Sequence, residues 1–542
     1  MRSLSGSRAW PTAAGAAVLA LAAVAQPAAA DAAPSPTPPS ASGGIVRVSV
    51  PDAAAAARLA GLALDRTEAS GPGWTDVLLH GPADAARLRG AGLSWTARTP
   101  GAAPKAAGTL PSGRTSYRTL ADYESEMSAL ARRHPDRVRR LTLPHRTVEG
   151  RRVHGMEIGH RVGARDGRPV FLMVGLHHAR EWPSGEMTME FGYDLLRGDG
   201  RDREITRLLD RARVVIVPVV NPDGFDASRS RANEDKRKNC RVVDGEPAPP
   251  PLCTRPGSAE LGVDVNRNYG FGWGGTGSGD DRTAGDYRGA GPFSEPESRN
   301  VRDLVASRQV TTLITNHTYG GTILRPYFSK AEGTTPDEAA YKALSDAMSA
   351  QNGYKGMRSG DDYETTGETN DWSYYATRGL GYTFEFGRET FHPDFASLPG
   401  EYNGAGPYAG KGARGAFLLA LRNAASRDAH SVIRGRAPSG ATLKITKSFT
   451  LWTSPVGGRA RPVPTRLSST MVVPRGGRFA WDVNPSVRPK SPFTADGVRP
   501  VTGLVRERWT LTCTPRHGRG GTTVRVLVDR GREAAVDLRR CR

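Results

Sequence analysis

Residues 169–182 read PVFLMVGLHHAREW, an apolar run that ends abruptly in two histidines, an arginine and a glutamate. The apolar half is short, continuous and bounded by Pro169 and Gly175, the pattern of a strand buried on both faces. Similar runs recur as RVVIVPVV (213–220), TTLIT (311–315) and GYTFEFG (381–387). Around and between them lie helical periodicities at 121–134, 184–197, 295–308, 337–350 and 413–426. Strands interleaved with helices specify an α/β sheet covered by helices on both faces. Each strand also delivers polar residues near its end: His177, His178, Arg180 and Glu181 after the first, NPDG after the second, His317 and Tyr319 after the third, and Glu385 in the fourth. Open α/β sheets bind ligands beyond the carboxyl ends of their strands, so these residues are expected at one edge.

At 542 residues, with 38% hydrophobic and 24% charged residues, the chain suits two to four soluble domains. Residues 1–30 carry Arg2 and Arg8, an apolar run over 13–25 too short to span a bilayer, and Ala28-Ala29-Ala30. They read as a signal peptide cleaved after Ala30, which predicts a secreted, extracellular protein with no later membrane span. A linker over 31–43 leads to a small α/β unit at 44–100, and a second linker covers 101–115. A small unit hung before a larger one on a cleavable linker reads as a propeptide, with Lys105 or Arg114 as the cut point. The α/β domain then occupies 116–424. From 425 to 542 helical periodicity stops and Thr-, Val-, Arg- and Gly-rich runs (LKITKSFTLWTS, STMVVP, RFAWDV, RWTLTC, TVRVLV) predict an antiparallel β-sandwich.

The net charge of +20 is concentrated in this last segment, where 23 Lys and Arg face 7 Asp and Glu. Neither aromatic platforms nor a recognition helix accompanies the charge, which argues against nucleic acid. An anionic polymer of a cell wall is the partner such a surface would suit, although an Arg-biased composition without any ligand is the plainer reading. Four cysteines in an exported chain read as two disulfides, and local closure favours Cys240 with Cys253 and Cys513 with Cys541 among three formal pairings.

Two imidazoles and a carboxylate at one sheet edge suit a catalytic zinc ion, because three N/O ligands leave a fourth position open, and the free thiols of a purely structural site are absent. Standing alone, His-x-x-Glu is weak: a polar surface turn offers the same residues. The residues themselves leave open whether His177 or His178 would face the metal.

The order HAREW, NPDGF, RKN, DVNRN and HTY, then Tyr363 eight residues before Asp371 of DW and Glu385 of FEF fourteen residues after it, resembles the secreted zinc metallocarboxypeptidases of the carboxypeptidase A and T type over residues 116–424. The resemblance implies a mixed central sheet and one zinc ion per chain held by His178, Glu181 and His317, leaving His177 as a neighbour. It implies Glu385 as general base and Arg237 as the donor to the developing oxyanion, with Asp264 orienting His178. Asn266 and Arg267 would hold a free C-terminal carboxylate, with Arg180, Tyr319, Tyr363 and Asn370 as further substrate-binding residues. At the position that helps choose the released side chain, Asn370 is neither acidic nor aliphatic. Glu368 nearby could supply charge, and mixed or apolar specificity is the resulting expectation.

The expected function is therefore removal of single C-terminal residues from peptides, by a monomer made with a blocking propeptide. Two other readings use the same residues: a hydrolase of cell-wall peptides, which also end in a carboxylate, and an inert protein that grips peptide or polymer ends. Asn266, Arg267 and Tyr363 favour ordinary peptides over the first, and the filled catalytic positions oppose the second.

Overall fold

The computed structural model describes residues 44–98, 108–242, 252–254, 260–361, 363–405, 408, 410–516 and 521–541. The signal peptide and the first linker expected over 1–43 lie outside the described residues, as does the first part of the second linker, residues 101–107 with Lys105.

β1 (Gly44–Ser49), α1 (Ala53–Ala60), β2 (Asp65–Gly71), β3 (Trp74–Leu79), α2 (Pro82–Gly90) and β4 (Trp95–Ala97) build the N-terminal unit. Its sheet runs β2-β3-β1-β4 with antiparallel pairing throughout. The Asp52 carboxylate opens α1 by accepting the Ala55 N–H at 2.7 Å. Val46, Val48, Leu59, Val77 and Leu88 form a small core of its own.

The main sheet begins after α3 (Leu120–Arg133), where Thr119 and Asp122 cap each other's backbone N–H in a reciprocal box. β5 (Val138–Arg146), β6 (Arg152–Ile158), β7 (Val170–Val174), α4 (Trp182–Gly198), α5 (Arg203–Arg211), β8 (Arg213–Val217), α6 (Pro222–Arg229) and α7 (Pro296–Ala306) follow. Then come β9 (Val310–Thr318), β10 (Thr322–Arg325), α8 (Glu338–Asn352), β11 (Lys355–Arg358), α9 (Thr369–Thr377), β12 (Leu380–Phe386), α10 (Leu398–Asn403) and α11 (Gly412–Ala425). The eight strands lie in the order β11-β10-β12-β9-β7-β8-β6-β5. β8, β7, β9 and β12 are parallel, while β10 and β6 join antiparallel, so the sheet is mixed. Every residue of β7, β9 and β12 is buried, which is possible only with both faces covered.

The tail adds β13 (Ser431–Arg436), β14 (Thr442–Trp452), β15 (Pro462–Val472), β16 (Arg478–Val483) and later strands at Trp509–Thr514, Thr522–Val526 and Glu533–Asp537. Pairing between these strands is antiparallel except that Glu533–Asp537 runs parallel to β13. The texture changes at 425, but the packing continues across it: Leu451, Val463 and Phe493 belong to the same buried cluster as the main sheet. Asn484 donates its amide to the Val310 carbonyl at 2.7 Å, tying the tail to the start of β9. Cys240 pairs with Cys253 and Cys513 with Cys541, at Cα separations of 5.0 and 5.9 Å.

Candidate metal centre and substrate clamp

β7 ends at Val174 and the chain bends through Leu176, whose φ of 51° is left-handed and unfavourable for a side chain of its kind. The bend is held from both sides. Ser184 Oγ accepts the Leu176 N–H at 3.0 Å, and the Leu176 carbonyl accepts from the Asn221 N–H at 3.0 Å. Asn221 opens the NPDG motif and also caps α6 through the Gly224 N–H, so that motif's first residue braces the strained turn.

The turn aims His178 and Glu181 at His317, which lies inside β9 rather than beyond its end. His178 Nδ1 is 2.6 Å from Glu181 Oε1, His317 Nδ1 is 3.0 Å from Glu181 Oε2, and the two Nδ1 atoms are 3.2 Å apart. All three side chains are buried. Two imidazole nitrogens cannot both present protons to each other at that distance; their lone pairs and the carboxylate converge where a cation belongs. The donor set contains two nitrogens, one carboxylate and no thiolate, which fits zinc with an open position. Burial pushes Glu181 up, yet His178 and His317 hold it well below the usual carboxylate range.

Asp264 joins this cluster to its surroundings. Its Oδ1 meets His178 Nε2 at 3.1 Å and accepts the Asn266 N–H at 2.8 Å, while its Oδ2 accepts from Arg237 Nε and Nη2 at 3.1 and 3.0 Å. Burial opposes its charge, but Arg237 and His178 keep its carboxyl well below the ordinary value. Arg237 Nη1 also approaches Glu181 at 3.9 Å. One carboxylate thus orients a metal-facing imidazole, an arginine and the short turn Val265–Arg267.

Glu385 stands on β12 directly beside His317 of β9 in the parallel register, and is buried. Arg267 is fixed by its own backbone neighbours, with Nε donating to the Gly277 carbonyl at 2.9 Å and Nη1 to the Asn266 carbonyl at 3.1 Å. Nη1 also meets Glu368 Oε1 at 3.1 Å. Burial raises the Glu368 carboxyl despite this arginine.

Four of the expected substrate residues are engaged elsewhere. Arg180 is buried against Asp65 of β2, with Nη2 2.8 Å from Oδ1 and Nη1 against Oδ2. Tyr363 is half-buried beneath the Arg66 guanidinium, 5.4 Å from its ring centre, and Tyr319 packs edge-on against Phe391 at 4.9 Å. Asn370 is wholly buried; its amide donates to Thr383 Oγ1 at 3.1 Å and its oxygen accepts the Asp371 N–H at 3.1 Å. His177 is also fully buried, and burial with the neighbouring His317 and His178 holds its pKa well below 6.5. Asp65 escaped the sequence reading because only tertiary packing brings it to Arg180, 115 positions away.

The mixed α/β sheet thus gathers a candidate metal site of His178, Glu181 and His317, with the Glu385 carboxylate and the Asn266-Arg267 pair nearby. The chain belongs to the zinc carboxypeptidase family, whose profile, described as "Zinc carboxypeptidase", matches residues 123–403. Rattus norvegicus "Carboxypeptidase A1" is 30% identical over 278 residues, which are 50% of this chain and 62% of that protein. A "Zinc carboxypeptidase" of Saccharothrix mutabilis subsp. capreolus is 27% identical over 298 residues, covering 53% and 65% of the two chains. These matches therefore span less than two thirds of the relatives' own length. Among solved structures, carboxypeptidase A from Helicoverpa armigera shares the fold with a TM-score of 0.57 at 21% identity, over 71% of this chain and 97% of that one. Thrombin activatable fibrinolysis inhibitor aligns with a TM-score of 0.56 at 18% identity, over 71% and 99%.

Proposed function

We propose that the protein is a secreted zinc-dependent exopeptidase that removes single residues from peptide C-termini. The observation that carries this reading is the convergence of His178 Nδ1, Glu181 and His317 Nδ1 beside Glu385, with Asp264 linking that cluster to Asn266 and Arg267. His178, Glu181 and His317 would hold the zinc, which when bound supplies Lewis acidity that polarises a carbonyl and makes water a stronger acid. Glu385 takes the proton of the attacking water and returns it to the leaving amine. Arg237 donates to the oxygen that becomes negative, a role worth about 3 kcal/mol for one aimed donor. Arg267 and the Asn266 amide hold the terminal carboxylate, and the requirement for that carboxylate restricts cleavage to chain ends.

The same reading makes residues 44–98 a propeptide docked over the substrate-side residues. Asp65 places a carboxylate on Arg180, Arg66 lies on Tyr363, and Ala69 and Leu78 pack with Tyr319 and Phe391. What stays open between the two units is a cleft of about 550 Å³ bordered by Trp74, Tyr363 and Arg388. Removal of this unit frees Arg180, Tyr319 and Tyr363 together. The tail presents exposed Arg434, Lys444, Arg466, Arg478 and Arg525 on its strands, a surface suited to an anionic wall polymer and testable by its retention on such a polymer at low and high salt.

The decisive assay is release of one residue from a blocked dipeptide by the proteolytically activated protein. It is expected to be lost with a chelator, restored by zinc and lost in Glu385→Gln; an unchanged Glu385→Gln rate would remove the mechanism.

A further inference from the structure

His177 is buried within the site, yet the mechanism leaves it without a task. Its surroundings form a hydrogen-bonded row whose direction can be worked out one atom at a time from the substrate side. The Thr369 N–H, an obligatory donor, lies 3.1 Å from Asn266 Oδ1, so the atom facing it is the amide oxygen. Thr369 Oγ1 is 2.9 Å from the same oxygen and must donate to it. The hydroxyl has one proton, so it accepts from His177 Nε2 at 3.0 Å, which therefore carries the ring proton and shares it with Tyr269 Oη at 2.9 Å. His177 Nδ1 is then an acceptor and receives the Thr315 hydroxyl proton at 3.2 Å. Having donated that proton, Thr315 Oγ1 accepts from His317 Nε2 at 3.0 Å. His317 consequently carries its proton on Nε2 and presents a bare Nδ1 to Glu181 and His178, as a metal ligand must.

We infer that His177 is a positioning residue: through Thr315 it sets the tautomer of the metal ligand His317, and by donating to Thr369 it keeps that hydroxyl pointed at Asn266 Oδ1, reinforcing the amide orientation fixed by the Thr369 N–H, which leaves the Asn266 N–H₂ for the substrate carboxylate. The inference rests on the zinc-site reading above. The row has a single polarity. Its acceptor end is pinned by a backbone N–H, and each hydroxyl on the way has only one proton to give. His177 and His317 are also stacked, with ring centres 5.6 Å apart and planes 13° apart, so loss of the imidazole removes both the relay and the surface against which the ligand ring lies. His178 has its own orienting partner in the Asp264 carboxylate, whereas the Nε2 of His317 meets the Thr315 hydroxyl.

The test uses the full chain stripped of metal and titrated with zinc against a chromophoric chelator. His177→Leu removes both the acceptor and the donor, whereas His177→Gln can offer an amide oxygen to Thr315 and an N–H to Thr369. Thr315→Val, nearly isosteric, cuts the row at its next member and covers the case in which His177→Leu fails to fold. Loss of such an outer partner typically weakens metal binding about 10–100-fold, expected for His177→Leu and Thr315→Val, with His177→Gln recovering most of it. The ligand-field spectrum of the Co²⁺-loaded chain should shift in the first two variants and return in His177→Gln, which a mere cavity would not produce. Zinc affinity within twofold of the parent in both His177→Leu and Thr315→Val overturns the inference. A parent chain that takes up no zinc sinks it together with the metal site, whereas tight zinc binding without peptide cleavage refutes only the proposed activity.

Discussion

Asp65→Asn isolates the contact by which the N-terminal unit would silence the site. The Asp65 carboxylate faces the Arg180 guanidinium with Oδ1 2.8 Å from Nη2, and Arg180 is wholly buried. Burial opposes the Asp65 charge, but Arg180 and His80 hold its carboxyl well below its ordinary value of 3.8, so the charged pair is the favoured form. Breaking a buried pair by removing one partner costs about 3–5 kcal/mol, because the surviving charge is left without compensation. Asparagine keeps one acceptor oxygen, which places the loss near about 3 kcal/mol, or about a hundredfold in docking at 1.4 kcal/mol per factor of ten. The assay compares hydrolysis of a blocked dipeptide by the intact parent, the intact variant and both after proteolytic removal of the N-terminal unit. Intact Asp65→Asn should work at a substantial fraction of the activated rate while the intact parent stays nearly silent. Both activated forms should be identical, since residue 65 has left with the unit. If the parent gains activity on cleavage but intact Asp65→Asn remains as silent as the intact parent, the ion pair is not what holds the unit down.

Three further outcomes are expected. Asp264→Asn should weaken zinc binding about 10–100-fold and lower turnover further by loosening Arg237, measured by chelator competition and by kcat. Glu332 and Asp371 are buried neighbours whose carboxyls are both raised, by burial first and then, for Asp371, by the adjacent Glu332 charge. The folded chain keeps their proton where the unfolded chain has released it, so their contribution to stability is complete below about pH 4 and is lost as pH rises through the raised values; Glu332→Gln should flatten the fall of Tm with pH. Cys541→Ser opens a loop of 28 residues and should cost about 3 kcal/mol, read as a lower denaturant midpoint with the unfolding slope compared in the same experiment.

Much of the sheet was legible because burial on both faces leaves an unbroken apolar run. PVFLMVG, RVVIVPVV and GYTFEFG correspond to β7, β8 and β12, and all five helical periodicities correspond to observed helices. β5 and β6 have no unbroken apolar run for different reasons: exposed Arg139 and Arg140 break the pattern of the edge strand β5, while in β6, one place further in, His154, Gly155 and Glu157 interrupt it. TTLIT understated β9, which runs on through His317 to Thr318, because polar residues inside a fully buried strand read as a loop. α9 was hidden for the same reason: Thr369, Asn370, Asp371 and Ser373 are all buried, and polarity masked the helix.

That histidines and carboxylates gather at one sheet edge was legible from residue type and strand context, whereas the choice of His178, Glu181 and His317 as ligands, and the roles expected of Glu385 and the Asn266-Arg267 fork, came only from the family resemblance. The pairing of Asp65 with Arg180, the turning inward of Asn370, and the row from His317 through Thr315 and His177 to Asn266 depend on contacts between segments up to 192 positions apart. No local pattern encodes such contacts. They exist because close packing brings distant polar groups into one dry interior, where each must find a partner, and that choice of partners is made by the folded core as a whole.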